Sequence, residues 1–78
     1  MHLLFSQHAR RRMRQRNITE GEVRACLTDY RTRIVGVTSS VCIADAGTRS
    51  LKVVVAADRD GDTERFIITT AWRGDDDN

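Results

Sequence analysis

A histidine and two arginines share one side of the first predicted helix. His8, Arg12 and Arg16 are spaced i, i+4 and i+8, so successive side chains lie one helical turn apart. Two arginines a turn apart can hold successive phosphates or two oxygens of one phosphate. The histidine can act as general base toward a ribose 2′-hydroxyl while the arginines stabilise the phosphorane charge. This spacing predicts a metal-free ribonuclease with these three residues as its catalytic groups.

Three more arginines lie on the same helix outside that row. Arg10 and Arg14 fall on the opposite border of the predicted buried face, and Arg11 faces away from it. We expect all three to be solvated and to form a nucleic-acid-binding strip. Residues 1–33 carry eight arginines against three acidic residues, which gives +5, and residues 34–78 carry five basic against eight acidic residues, which gives −3. This asymmetry predicts a positive face over an acidic remainder.

Two other interpretations of these charges stay open. Arg12 and Arg16 border the predicted buried face, so their aliphatic stems should lie on the protein surface. Their guanidinium groups could then form a scaffold of salt bridges, for which the candidate partners are Glu20, Asp29 and Asp45. In the second interpretation the basic helix is a non-enzymatic adaptor that docks on an acidic protein or on nucleic acid.

The first helix has clear boundary signals at both ends. Ser6 is a good N-cap residue, and Asn17 readily takes the left-handed conformation that ends a helix. Between them no residue is glycine, proline or β-branched, and Ala9 and Met13 are the only apolar side chains. These signals predict a helix over 7–16 that buries a narrow apolar strip.

The second helix begins with a capping box, because Glu22 follows Thr19 by three residues. Apolar residues at i, i+3, i+4 and i+7 then predict a helix over 20–30 that ends on a buried Tyr30. Ile18, in the short link between the helices, should also be buried. The apolar residues that form the face of this helix are Val23, Cys26, Leu27 and Tyr30.

Four segments rich in Val, Ile, Thr and aromatic residues follow the helices. Short links, including a turn at Asp60-Gly61, permit only antiparallel neighbours. The sequence predicts a two-layer α+β domain over 1–73, with two N-terminal helices on one face of a three- or four-stranded antiparallel meander, and a disordered acidic tail over 74–78. The initial segment "HLLF" should add a short edge strand or pad the core. The predicted strands are 33–38, 41–46, 51–57 and 65–72.

Composition limits the class of protein. No run of about 18 apolar residues occurs, so we expect no membrane contact and a cytoplasmic location. Cys26 and Cys42 are expected to be buried thiols, and the two histidines and two cysteines have no ligand spacing. We therefore expect no metal and no cofactor. A core this small predicts a monomer or a weak homodimer.

The stretch "SQHARRRMRQRNITEGEV" resembles the bacterial family called domain of unknown function 4258. That family has the pattern H-A-x-x-R-M-x-x-R-x-I, followed by an acidic helix that contains valine. The residues that match the pattern are His8, Ala9, Arg12, Met13, Arg16 and Ile18, and the second helix supplies Glu20, Glu22 and Val23.

The family has a layout similar to that of RelE and BrnT-type toxins. The resemblance therefore implies a toxin that cleaves RNA, either on the ribosome or free, and that is neutralised by a small antitoxin covering its basic groove. RelE-like toxins carry catalytic basic and aromatic residues on the later strands and tail. In this chain that region supplies Arg65, Trp72 and Arg73, before an acidic tail. Cleavage would therefore have to be carried out by His8, Arg12 and Arg16 on the first helix.

Overall fold

Two helices and five strands make up the part of the chain that the structure describes, residues 2–56 and 64–73 of a computed structural model. The predicted turn at Asp60-Gly61 and the predicted disordered tail at 74–78 lie outside these residues. The elements in chain order are β1 (His2–Phe5), α1 (Gln7–Arg16), α2 (Glu20–Thr28), β2 (Thr32–Val35), β3 (Ser39–Ala46), β4 (Arg49–Ala56) and β5 (Glu64–Trp72).

The five strands form one mixed sheet in the order β1-β5-β4-β3-β2. The last four strands are the predicted antiparallel meander. The prediction of a three- or four-stranded antiparallel sheet after two N-terminal helices is wrong, because β1 precedes the helices and pairs with β5 in parallel. Short links force antiparallel neighbours, but β1 is joined to the meander through both helices, so that restriction does not apply to it.

Helix α1 covers the predicted residues and is anchored at its start. The Ser6 hydroxyl accepts a hydrogen bond from the Ala9 amide at 2.9 Å and donates one to the Ile68 carbonyl at 2.7 Å. One side chain therefore caps the helix and joins it to β5. At the other end Asn17 has φ 59° and ψ 46°, the left-handed conformation predicted from its type.

Helix α2 begins at the predicted capping box but ends at Thr28, two residues early. The prediction that Tyr30 is a core residue is wrong, since its side chain is 43% exposed. The apolar periodicity predicts burial of Tyr30 only if the helix continues through residue 30, and the helix ends before that residue. Val23 and Cys26, earlier on that face, are buried as predicted.

Strand β2 is also shorter than predicted and ends at Val35. The Gly36 amide donates to the Ser39 carbonyl at 2.8 Å, which closes a tight turn. A Cβ at position 36 would lie 2.6 Å from that carbonyl oxygen, so the turn requires glycine. Val37, predicted to lie in this strand, is 95% exposed. The other three strands of the meander each begin one or two residues earlier than predicted.

The core lies between the two helices and one face of the sheet. Its central side chains come from α2, β4 and β5, and Ile18 in the link between the helices is buried as predicted. No helix among the described residues is both long and apolar enough to cross a membrane. The largest fully buried side chains are Leu51, Ile67, Val23, Val53, Thr70 and Cys26.

Candidate functional site

Helix α1 is held on the sheet by a narrow apolar strip and by both of its ends. Ala9 and Met13 are its buried residues. At the C-terminal end, the Trp72 indole N–H donates to the Arg16 carbonyl at 2.9 Å. Because only two of its ten side chains are buried, the histidine and the five arginines must lie at the border of the core or in solvent.

The predicted catalytic row runs along this border. His8 is exposed, and Arg12 and Arg16 are half-buried. None of the three forms an ion pair with another residue in 2–56 or 64–73. Two acidic residues considered as partners for the row, Glu20 and Asp45, pair instead with Arg10 and Arg31. The described part of the chain therefore shows no salt-bridge scaffold built on this row.

Arg10, Arg11 and Arg14, the predicted nucleic-acid strip, are exposed and line two shallow depressions. One depression, of about 360 Å³, lies toward the start of α2 and includes Asn17. The other, of about 290 Å³, lies toward β1 and includes Phe5. Arg10 and Arg14 line both, so the two depressions adjoin across these side chains. We call this surface, with Arg10, Arg11 and Arg14, the arginine groove.

Arg10 is fixed in position within the arginine groove. Its Nη1 atom lies 2.8 Å from Glu20 Oε1, and its guanidinium carbon lies 4.3 Å from the centroid of the Phe5 ring. Arg11 and Arg14 form no ion pair with any described residue. An anion that enters the groove would meet the guanidinium group of Arg10, which pairs with Glu20. It would also meet those of Arg11 and Arg14, which no described carboxylate neutralises.

Sequence reasoning missed the aromatic contacts of two arginines. Arg10 stacks on Phe5, and the Arg49 guanidinium carbon lies 4.3 Å from the centroid of the Trp72 ring. Both contacts depend on the docking of α1 and β1 and on strand register, which no local pattern in the sequence encodes. Trp72 is buried, and one face of its ring is covered by Arg49.

The two cysteines are buried thiols, as predicted, and are not joined in a disulfide. The Cys26 thiol donates to the Cys42 carbonyl at 3.4 Å. Burial, together with the nearby Cys42, raises the pKa of the Cys26 thiol from 9.0 to about 12. A thiol that stays protonated is a poor nucleophile and a poor metal ligand. Among the described residues, no group of three or more His, Cys, Asp or Glu side chains is placed to hold a metal ion.

Comparison with known protein families gives a match over most of the chain. A family model described as Domain of unknown function (DUF4258) matches residues 5–73, from the end of β1 through the end of β5. No curated protein and no solved structure matches the chain, so the RelE-type layout stays a prediction. The matched range contains both helices and the complete H-A-x-x-R-M-x-x-R-x-I pattern. The chain therefore belongs to the family of domains of unknown function DUF4258.

Proposed function

We propose that this domain binds RNA and that α1 contacts the phosphates. The proposal depends on one observation: of the five arginines on this ten-residue helix, only Arg10 forms an ion pair within the described residues. Phosphate contacts of this kind supply most of the affinity of proteins for nucleic acids. RNA, rather than DNA, is the expected class because of the resemblance to RNA-cleaving toxins.

The arginine groove has a spacing suited to a nucleic-acid strand. Arg10 and Arg14 are separated by about 6 Å along the helix axis, from the rise of about 1.5 Å per residue. In double-stranded DNA, successive phosphates of one strand rise by about 3.4 Å along the axis, and on that scale two arginines one turn apart can reach two nearby phosphates. Each guanidinium group can hold two phosphate oxygens at once. Phe5 stacks on the Arg10 guanidinium group, while Glu20 pairs with it and competes with phosphate for it.

Fluorescence anisotropy with a labelled single-stranded RNA tests this proposal. Arg11→Gln combined with Arg14→Gln should weaken binding about 25-fold in 0.1 M salt, since each lost phosphate contact is worth about fivefold there. The control variant, Arg24→Gln with Arg73→Gln, has the same net charge but removes exposed arginines outside the groove. If both variants weaken binding equally, only net charge matters and the proposal is wrong.

A second candidate function is cleavage of the bound RNA by the row on α1. Exposed His8 lies one turn from Arg12, and neither side chain has an ion-pair partner among the described residues. In this mechanism the imidazole takes the proton of a 2′-hydroxyl, and the 2′-oxygen attacks phosphorus. The bond to the 5′-oxygen breaks, that oxygen takes a proton from water, and the imidazolium returns its proton to the hydroxide that remains. Arg12 and Arg16 stabilise the phosphorane, and the products are a 2′,3′-cyclic phosphate and a 5′-hydroxyl.

The cleavage candidate makes a separate prediction about growth. Expression should arrest growth, and His8→Ala or Arg12→Ala should relieve the arrest in proteins that still fold. By analogy with the toxins, a small antitoxin that covers α1 should also relieve it. If purified protein leaves RNA and translated message intact, and expression is harmless, the domain is an RNA-binding adaptor without catalysis.

A further inference from the structure

A cavity of about 270 Å³ opens between α2 and the strands β3 and β4, and the arginine groove does not include it. Its floor is formed by Cys26 and Leu51, both buried. Its walls carry three alanines, Ala25 on α2 and Ala44 and Ala46 on β3. Helix and sheet normally pack to high density. Here small side chains face one another across the interface, and the space between them stays open.

Three carboxylates also line this cavity: Glu22, Asp29 and Asp45. Two of them are fixed by hydrogen bonds. Glu22 Oε1 accepts from the Thr19 amide at 2.9 Å as part of the capping box, and Asp45 Oδ1 forms an ion pair with Arg31 Nε at 3.2 Å. Glu22 and Asp29 form no ion pair with any described residue. The cavity therefore combines an apolar floor with two carboxylates, Glu22 and Asp29, that no described cation neutralises. This combination is expected of a site for an apolar group that carries a cation.

We propose that this cavity binds an arginine side chain from a basic segment of a partner protein. The aliphatic stem of arginine would lie against the alanine methyl groups and Leu51, and the guanidinium group would meet Glu22 and Asp29. Arginine fits better than lysine because its planar fork can hold carboxylate oxygens from two directions. The negative charge of the cavity repels phosphates, so this site does not depend on RNA binding by α1.

The cavity can be filled without disturbing the core. Ala25 is exposed on α2, and leucine is a good helix former, so Ala25→Leu should fold and place its added bulk in the cavity. Thr28→Leu is the matched control, because it also adds a leucine to an exposed position of α2 but does not line the cavity. Thermal melting of both variants checks that they fold.

The test is a titration followed by amide NMR spectra, with the tripeptide acetyl-Ala-Arg-Ala-amide as probe. The peptide should shift the resonances of Ala25 and Ala46 in the wild type and in Thr28→Leu. Its affinity should fall at least tenfold in Ala25→Leu, and also when neutral citrulline replaces arginine in the peptide.

Three results would overturn the proposal. The first is no shift at millimolar peptide, and the second is equal binding of the citrulline peptide. The third is a shift of the same resonances that depends on protein concentration without peptide and is lost in Ala25→Leu. That last result would mean that an arginine of a second copy occupies the cavity, not one from a different protein. RNA binding by the arginine groove should be unchanged in Ala25→Leu, so the two proposals can fail separately.

Discussion

Replacement of Glu20 by glutamine should strengthen RNA binding with little effect on stability. Glu20 is the carboxylate that neutralises Arg10 in the arginine groove, at 2.8 Å. Its charge would repel an RNA phosphate bound at the same place. Both side chains are more than half exposed, so their ion pair is screened by solvent and contributes about 1 kcal/mol or less to folding.

The expected gain in affinity follows from counterion release. For a single strand, each phosphate contact adds about 0.7 to the slope of log K against log salt concentration. One contact therefore raises the binding constant about fivefold at 0.1 M salt relative to its value at 1 M salt. Glu20→Gln frees Arg10 for one such contact. We therefore expect about fivefold tighter binding at 0.1 M salt and a salt dependence steeper by about 0.7.

Anisotropy titrations with labelled single-stranded RNA over a range of KCl concentrations measure both quantities. Asp29→Asn is the matched control, since it removes the same charge at the other end of α2. It should change the affinity much less than Glu20→Gln does. Unchanged or weaker binding by Glu20→Gln would refute the reasoning, because Arg10 would then make no contact with phosphate. An equal gain in affinity for Asp29→Asn would mean that only net charge determines binding.

The remaining predictions concern stability and reactivity. Ser6→Ala removes the cap of α1 and its bond to β5, and should cost about 1 to 2 kcal/mol in urea denaturation. Trp72→Phe removes the hydrogen bond to the Arg16 carbonyl, so amide hydrogen exchange should speed up in the last turn of α1 more than in α2. Cys26, with its pKa raised to about 12, should react with iodoacetamide at pH 8 only after unfolding. The unfolded chain loses the thiol proton near pH 9, whereas the folded chain retains it to about pH 12. The contribution of the thiol to the free energy of unfolding is therefore complete below about pH 9 and falls as the pH rises toward 12. Melting curves at several pH values will measure this loss.

Boundaries set by local chemistry were predictable from the sequence. Ser6 and Asn17 define the ends of α1 by their own side-chain and backbone preferences, and both ends are confirmed. The end of α2 was not predictable in this way, because Tyr30 continues the apolar periodicity although the helix ends at Thr28. The pairing of β1 with β5 joins residues about 60 positions apart, and no pattern within β1 specifies its partner.

The same division applies to the candidate site. The helical spacing of Arg12 and Arg16 predicts their half-buried positions at the border of the core, and the structure agrees. The arginine groove is different, because Phe5 reaches Arg10 only through the docking of β1 beside α1. Likewise, the alanines of the cavity come from α2 and β3, and only the packing of helix on sheet brings them together.

The central claim is that phosphates bind in the arginine groove, and NMR of arginine side chains tests it most directly. Spectra of the Nε–Hε groups during titration with single-stranded RNA report each guanidinium group separately. We predict that the signals of Arg11 and Arg14 shift and saturate together, while that of Arg10, which pairs with Glu20, shifts less. Shifts confined to arginines of the strands, or no shift in any of the three groove residues while RNA binds, would contradict the account.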